Sequence, residues 1–128
     1  MIYLDLEDLL LIADRVVDGR VQVRDVGLLE SAAHRPRTTV FGADAYPTVH
    51  EKAAALLHSV VSNHALVDGN KRLGLASLIA SLGLNSWRLT LTNDEAYDLV
   101  IAVASGEWDE VSEISRALVE GSSEIAPR

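Results

Sequence analysis

Two short patterns, Thr48-x-x-Glu51 and Thr92-x-x-Glu95, constrain the fold of this chain more than any other feature. In each, a threonine hydroxyl can accept the backbone N–H three residues on, while the glutamate reaches back to the threonine's own N–H. Such reciprocal capping starts helices. Behind the first pattern Ala53, Leu56, Leu57, Val60 and Val61 recur at helical spacing to about Asn63. Behind the second, a helix is expected to stop near Gly106. Asp5 can cap a further helix to about Val17, with Leu6, Leu9, Leu10, Ala13, Val16 and Val17 on one face and Gly19 closing it.

The remaining helices follow from the same punctuation. Leu28–His34 reads as a short helix that must end before Pro36. Another begins near Asn70 and runs through Leu75, Leu78, Ile79 and Leu82 to Gly83, expected as its C′ residue. The last starts at Asp109 and buries Val111, Ile114, Leu118 and Val119. Thr38–Pro47 is β-prone and turn-prone, which predicts a loop or small hairpin, and Leu84–Thr90 can hold a short extended piece. The aromatic fraction is only 5% against 48% hydrophobic residues, so the core is aliphatic. The fold class expected is all-α: one compact bundle of about six helices with a short extended flap. Residues 1–120 form the domain and 121–128 a frayed tail.

Composition also excludes chemistry. Without cysteine there are no disulfides, zinc–thiolate clusters or thiol nucleophiles. A net charge of −8 with 11 basic residues argues against binding nucleic acid through its phosphates. The first residues are acidic rather than basic, unlike a secretory signal. The uncharged run Leu73–Trp87 is too short and too often interrupted by polar residues to span a bilayer. A cytoplasmic location without membrane contact is the expectation.

One loop concentrates the reactive groups: His64-Ala-Leu-Val-Asp68-Gly69-Asn70-Lys71-Arg72, between two strong helices. The first N–H groups of a helix lack intrahelical partners and lie at the positive end of its dipole, so they bind anions. Gly69 allows close approach of backbone to a phosphate. Asn70 adds an amide. Lys71 and Arg72 are unfavourable in a first helical turn unless an anion neutralises them. Asp68 can hold a magnesium ion on such phosphates. His64 brings an imidazole, the side chain best suited to taking a proton near neutral pH. Singly, each residue belongs to an ordinary Asp-Gly turn or an exposed helix; the set within nine positions is read as a site. It lacks the two-glycine spacing of a P-loop.

The pattern His64-x-x-x-Asp68-Gly69-Asn70-Lys71-Arg72 resembles the signature of the Fic/Doc family, in particular its Doc members. The likeness extends over about residues 3 to 118, through Arg24–Ala32, Tyr46–Ala54 and Ala104–Glu107. It implies that His64 activates a protein hydroxyl, that Asp68 holds Mg²⁺, and that Gly69, Asn70 and Arg72 clamp the phosphates of ATP. Fic members that transfer AMP usually have glycine at the place of Lys71 and a second arginine at that of Leu75. The Asn-Lys-Arg form is associated with a reversed nucleotide and transfer of the terminal phosphoryl group. The resemblance therefore implies a phosphotransferase toxin of a type II toxin–antitoxin module. Its expected substrate is a translation factor, elongation factor Tu foremost, and its partner an antitoxin of the Phd kind folded over the cleft. An AMP transferase and a catalytically weakened antitoxin-binding module are the alternatives. The family usually has Phe and Pro where this chain has Leu66 and Ala65, and leucine fills less of an apolar pocket, which implies a looser loop.

Outside the loop, His34, His50 and His58 lack the spacing of a helical zinc motif and are expected in surface or cap roles. Trp87 and Trp108 are expected in the core or an interface. The Thr38–Tyr46 flap is either a β-pairing edge for a target peptide or an ordinary surface loop. In Fic proteins an inhibitory helix inserts a glutamate into the ATP site; Glu120-Gly121 is the nearest echo, but Arg116 stands where a hydroxyl is needed.

Overall fold

Each helix begins where a side chain can satisfy its first N–H groups. The computed structural model describes residues 1–126 and places α1 at Leu6–Val16, capped by Asp5, whose carboxylate accepts from Asp8 N–H at 2.9 Å. Asp25 caps α2 (Val26–His34), which starts two residues before the expected Leu28. A 3₁₀ turn, Arg35–Arg37, continues through Pro36, because proline tolerates the first positions of a helical turn. Two short strands follow, β1 (Thr39–Val40) and β2 (Ala43–Asp44), an antiparallel hairpin with Val40 opposite Ala43. Then come α3 (Val49–Asn63), α4 (Asn70–Leu84), β3 (Trp87–Leu89), α5 (Asn93–Ala104), α6 (Val111–Glu120) and β4 (Ser122–Glu124). The six-helix, all-α expectation with a short flap holds. No helix of the described residues is long and apolar enough to cross a membrane.

Helix α3 is the axis of the bundle. Ala53, Ala54, Ala55 and Leu57 are wholly buried, and small residues on several faces allow α2, α4, α5 and α6 all to pack against it. It packs most extensively with α4, where a Cβ on Gly74 would lie 2.5 Å from Val61 Cγ2, so any larger residue would force the crossing to shift. The core has two halves. Leu9, Leu29, Leu56, Leu66 and Leu73 form one beneath α1 and α2. Leu57, Leu78, Leu82, Val100, Ile114 and Leu118 form the other, between α3, α4, α5 and α6. Trp87 and Trp108 pack against this second half, as expected.

Several local expectations are corrected. Thr92 and Glu95 make the full reciprocal box, and the Thr92 backbone N–H and then its hydroxyl hold the Glu95 carboxyl below its ordinary pKa. Thr48 does not: its hydroxyl accepts from Glu51 N–H, and Glu51 turns to that hydroxyl rather than to the backbone. Gly83 lies inside α4, which runs on to Leu84. The tail is not frayed at its start. Residues Ser122–Glu124 pair antiparallel with β3, Ser123 opposite Arg88, and Ser122 Oγ donates to Leu118 O while accepting from His50 Nε2. The expectation for 127–128 lies outside the described residues.

Two of the histidines set aside are structural rather than superficial. His50 is 7% exposed, edge-on to Trp87 at 4.4 Å between ring centroids, and burial lowers its pKa. His58 is held between Arg35 and Asp109. Arg35 Nη1 donates to Nδ1 at 2.6 Å, so Nε2 must carry the hydrogen donated to Asp109 at 2.9 Å. Among the described residues no three His, Cys, Asp or Glu side chains cluster as a metal site.

Candidate functional site

The loop between α3 and α4 is held by its backbone. His64 ends α3 in the left-handed region, at φ 53° and ψ 44°, which turns the chain out of the helix. The next residues run beside residues 22–25. Ala65 O accepts from the N–H groups of Arg24 and Asp25 at 2.7 and 3.1 Å, Val67 N–H donates to Gln22 O at 2.9 Å, and Val23 bridges Leu66. The Arg24 guanidinium donates to Leu66 O at 3.2 Å. Leu66 is wholly buried among the leucines of the first core half.

Asn70 takes a different role from the one expected. Its Oδ1 accepts from Leu66 N–H at 3.0 Å and its Nδ2 donates to Leu66 O at 3.0 Å, so the amide clasps the loop instead of facing a ligand. What Asn70 offers an anion is its backbone N–H. Gly69 is the N-cap of α4, at φ 94°, and no side chain caps the helix. The first hydrogen bond of the helical turn is Leu73 N–H to Gly69 O, at 2.9 Å. The N–H groups of the preceding turn are therefore left for a ligand.

Gly69 is required twice over. Its φ suits glycine, and a Cβ there would lie 2.6 Å from Val17 Cγ2, since the C-terminal end of α1 packs directly on the turn.

Around this turn opens a cleft of about 670 Å³. His64, Asp68, Gly69, Asn70, Lys71 and Arg72 all line it, so every residue singled out in the loop converges on one cavity. Lys71, Arg72 and His64 are exposed there. Three contributors escaped sequence reasoning. Asp18, just past α1, accepts a 2.8 Å ion pair from Arg72 Nη1. Tyr97 and Ile101 form part of a wall supplied by α5. The spacing Tyr97, Ile101, Ala104 and Ser105 was the available signal, because it places all four on one stripe of a helix. None of residues 38–46 lines the cleft; Lys52 instead ties the hairpin to α3, through Asp44 and the Tyr46 carbonyl. Glu120 and Gly121 do not line it either.

The donor set suits a cation carried in by a substrate. Asp68 Oδ1 accepts from Gly69 N–H at 2.9 Å, and its other oxygen has no hydrogen bond among the described residues. Two carboxylates, Asp68 and the Arg72-paired Asp18, next to two cations do not cage a metal. They match the way Mg²⁺ is usually held, by one or two carboxylates plus phosphate oxygens and water.

Comparison with known proteins agrees with this geometry. Residues 3–82 match the model of the Fic/DOC family. Over 109 residues the chain is 47% identical to the toxin Doc of Mycolicibacterium smegmatis, an alignment covering 84% of each chain. The matched family region includes the whole His64–Arg72 loop and ends within α4, before α5 begins.

Proposed function

Because this chain belongs to the Fic/DOC family, enzymes that transfer nucleotide-derived groups to proteins, we propose that it phosphorylates a protein hydroxyl at the expense of ATP. We further propose that it acts as the toxin of a toxin–antitoxin pair. The observation that carries the first reading is the convergence of His64, the uncapped α4 N-terminus, Lys71 and Arg72 on one cleft.

In this reading the α4 N–H groups, Lys71 and Arg72 bind the phosphates. Arg72 is already oriented by Asp18, and an exposed ion pair of this kind is weak, about 0–1 kcal/mol, so a phosphate displaces the carboxylate at little cost. A bound Mg²⁺ would be held by Asp68 and would neutralise charge building on the phosphate oxygens. The target's hydroxyl oxygen attacks the terminal phosphorus while His64 accepts its proton. The bond from that phosphorus to the bridging oxygen breaks, and ADP leaves with the bonding electrons. Arg24, Leu66 and the Asn70 side chain position the loop, while the Asn70 backbone N–H faces the phosphates.

Lys71 favours phosphoryl over adenylyl transfer. A long cation fills the place where glycine would leave room for the outer phosphates, which changes the phosphorus presented to the hydroxyl. Leu75, where a second arginine would serve AMP transfer, is a partly buried residue packed against the core. The toxin reading is supported by the name of the M. smegmatis relative. It carries with it a translation factor as target and a Phd-like antitoxin covering the cleft, in a cytoplasmic setting.

Intact mass of translation factors, elongation factor Tu first, after incubation with the protein, ATP and Mg²⁺ tests this reading. The expected result is the gain of one phosphoryl group. Gain of an adenylyl group would make the chain an AMP transferase and overturn the argument from Lys71.

A further inference from the structure

Charge is spread unevenly along this chain. Residues 91–128 hold nine of the 19 acidic residues and two of the 11 basic ones, Arg116 and Arg128, and so carry −7 of the net −8. The first 90 residues, which include the anion-binding loop, carry the remaining −1. The excess falls on α5, α6, β4 and the turns beside them, where the ion pair found among the described residues is that of Asp109 with His58. Charge of one sign repels itself within a folded chain and attracts a partner of the opposite sign.

A cavity of about 360 Å³ opens within this acidic region. Leu99, Ala102 and Trp108 belong to its apolar lining, Glu95, Asp98 and Glu107 stand beside them, and no basic residue lines it. The three carboxylates are exposed, and none is ion-paired among the described residues. Glu95 is fixed in place by the Thr92 N–H that its carboxylate accepts at 2.9 Å. Trp108 is half-buried on the second core half and has neither a ring partner nor a cation partner among the described residues. The α5 residues involved share none with the stripe of α5 that lines the nucleotide cleft, so this is a separate face of the helix.

An apolar floor beside unpaired carboxylates suits a side chain with a long aliphatic stem and a cationic head. Lysine and arginine have that form: the stem covers apolar surface while the head meets a carboxylate or the face of a tryptophan. We propose that this cavity docks a basic, amphipathic segment of a partner protein, which inserts an arginine or lysine against Trp108 beside Asp98 and Glu107. The site does not depend on what the nucleotide cleft binds. A second copy presenting the same face is repelled by like charge, and nucleic acid is repelled by its sign.

Amide ¹H–¹⁵N spectra of the full chain, titrated at physiological ionic strength with two short peptides of equal positive charge, test the proposal. One is an amphipathic peptide of leucine and arginine, and the other has serine in place of leucine. The first is expected to shift Leu99, Ala102 and the Trp108 indole most, and the serine peptide to bind at least about tenfold more weakly. Asp98→Lys is expected to weaken binding of the leucine–arginine peptide at least about tenfold. Glu124→Lys, at an exposed position of β4 outside the cavity, is expected to weaken it by less than about threefold. The two variants change the net charge equally, so they separate the site from the general field. Equal losses in both variants, equal affinity for both peptides, shifts spread over the acidic surface without a maximum at the cavity, or no binding of the leucine–arginine peptide would each overturn the proposal.

Discussion

His64→Ala is expected to slow transfer to the target about 10²–10⁴-fold, the usual contribution of a positioned general base, while leaving the fold intact. The two halves of this expectation come from the same observation. His64 is exposed, lines the cleft and makes no hydrogen bond within the described residues, so nothing in the core depends on its ring. Its backbone at φ 53° lies in the left-handed region, which histidine adopts somewhat more readily than alanine, so only a small fall in the melt is expected. The measurement is a single-turnover rate on the modified target, paired with a thermal melt. A variant that retains the parent's transfer rate would remove His64 from the chemistry. If the variant lost transfer and yet stayed as toxic to cells as the parent, the function would lie in partner binding instead.

Gly69→Ala is the second large effect and acts on structure first. Alanine at φ 94° costs about 1–2 kcal/mol in backbone strain. Its Cβ also meets Val17 Cγ2 at 2.6 Å, so either α1 or the turn must move. The melting temperature is expected to fall by roughly 5–10 °C for a chain of this size. Transfer should fall further, about 10²-fold, because displacing the α4 N-terminus by an ångström misaligns the phosphates. Adding Val17→Ala separates the two causes. It relieves the contact but not the φ, so stability should recover in part while remaining below the parent. Full recovery would mean that φ does not matter here; no recovery would mean that the Val17 contact is not the source of the cost.

Much of the architecture could be read from the chain because helix ends are written locally. Asp5 and Thr92 each cap a helix with their own side chain, and that chemistry needs no knowledge of the rest of the fold. The loop residues were legible for a related reason: six of them fall within nine positions, so one turn brings them together. What escaped depends on contacts distant in sequence. Nothing near Ser122 announces a strand, since its partner β3 lies more than thirty residues earlier and its hydroxyl is taken by Leu118 and His50. Asp18 and Tyr97 belong to helices whose ends and stripes read as ordinary surface until α4 is placed between them.

Asn70 and Leu66 show a subtler limit. An amide beside an anion-binding turn suits a ligand equally well on paper, and only the buried Leu66 backbone, with an N–H and a C=O to satisfy, decides that it serves the loop. His50 and His58 misled for the opposite reason. Their partners, Ser122 and Asp109, come from the end of the chain, so burial could not be foreseen from spacing.

The claim on which the rest stands is that the turn at Gly69 binds nucleotide phosphates through the first N–H groups of α4. Amide ¹H–¹⁵N spectra recorded while ATP and Mg²⁺ are added test it most directly. The largest shifts are expected at Gly69–Leu73, with smaller ones at Asp18 as Arg72 changes partners. Shifts confined to other surfaces, with residues 69–73 silent, would contradict it.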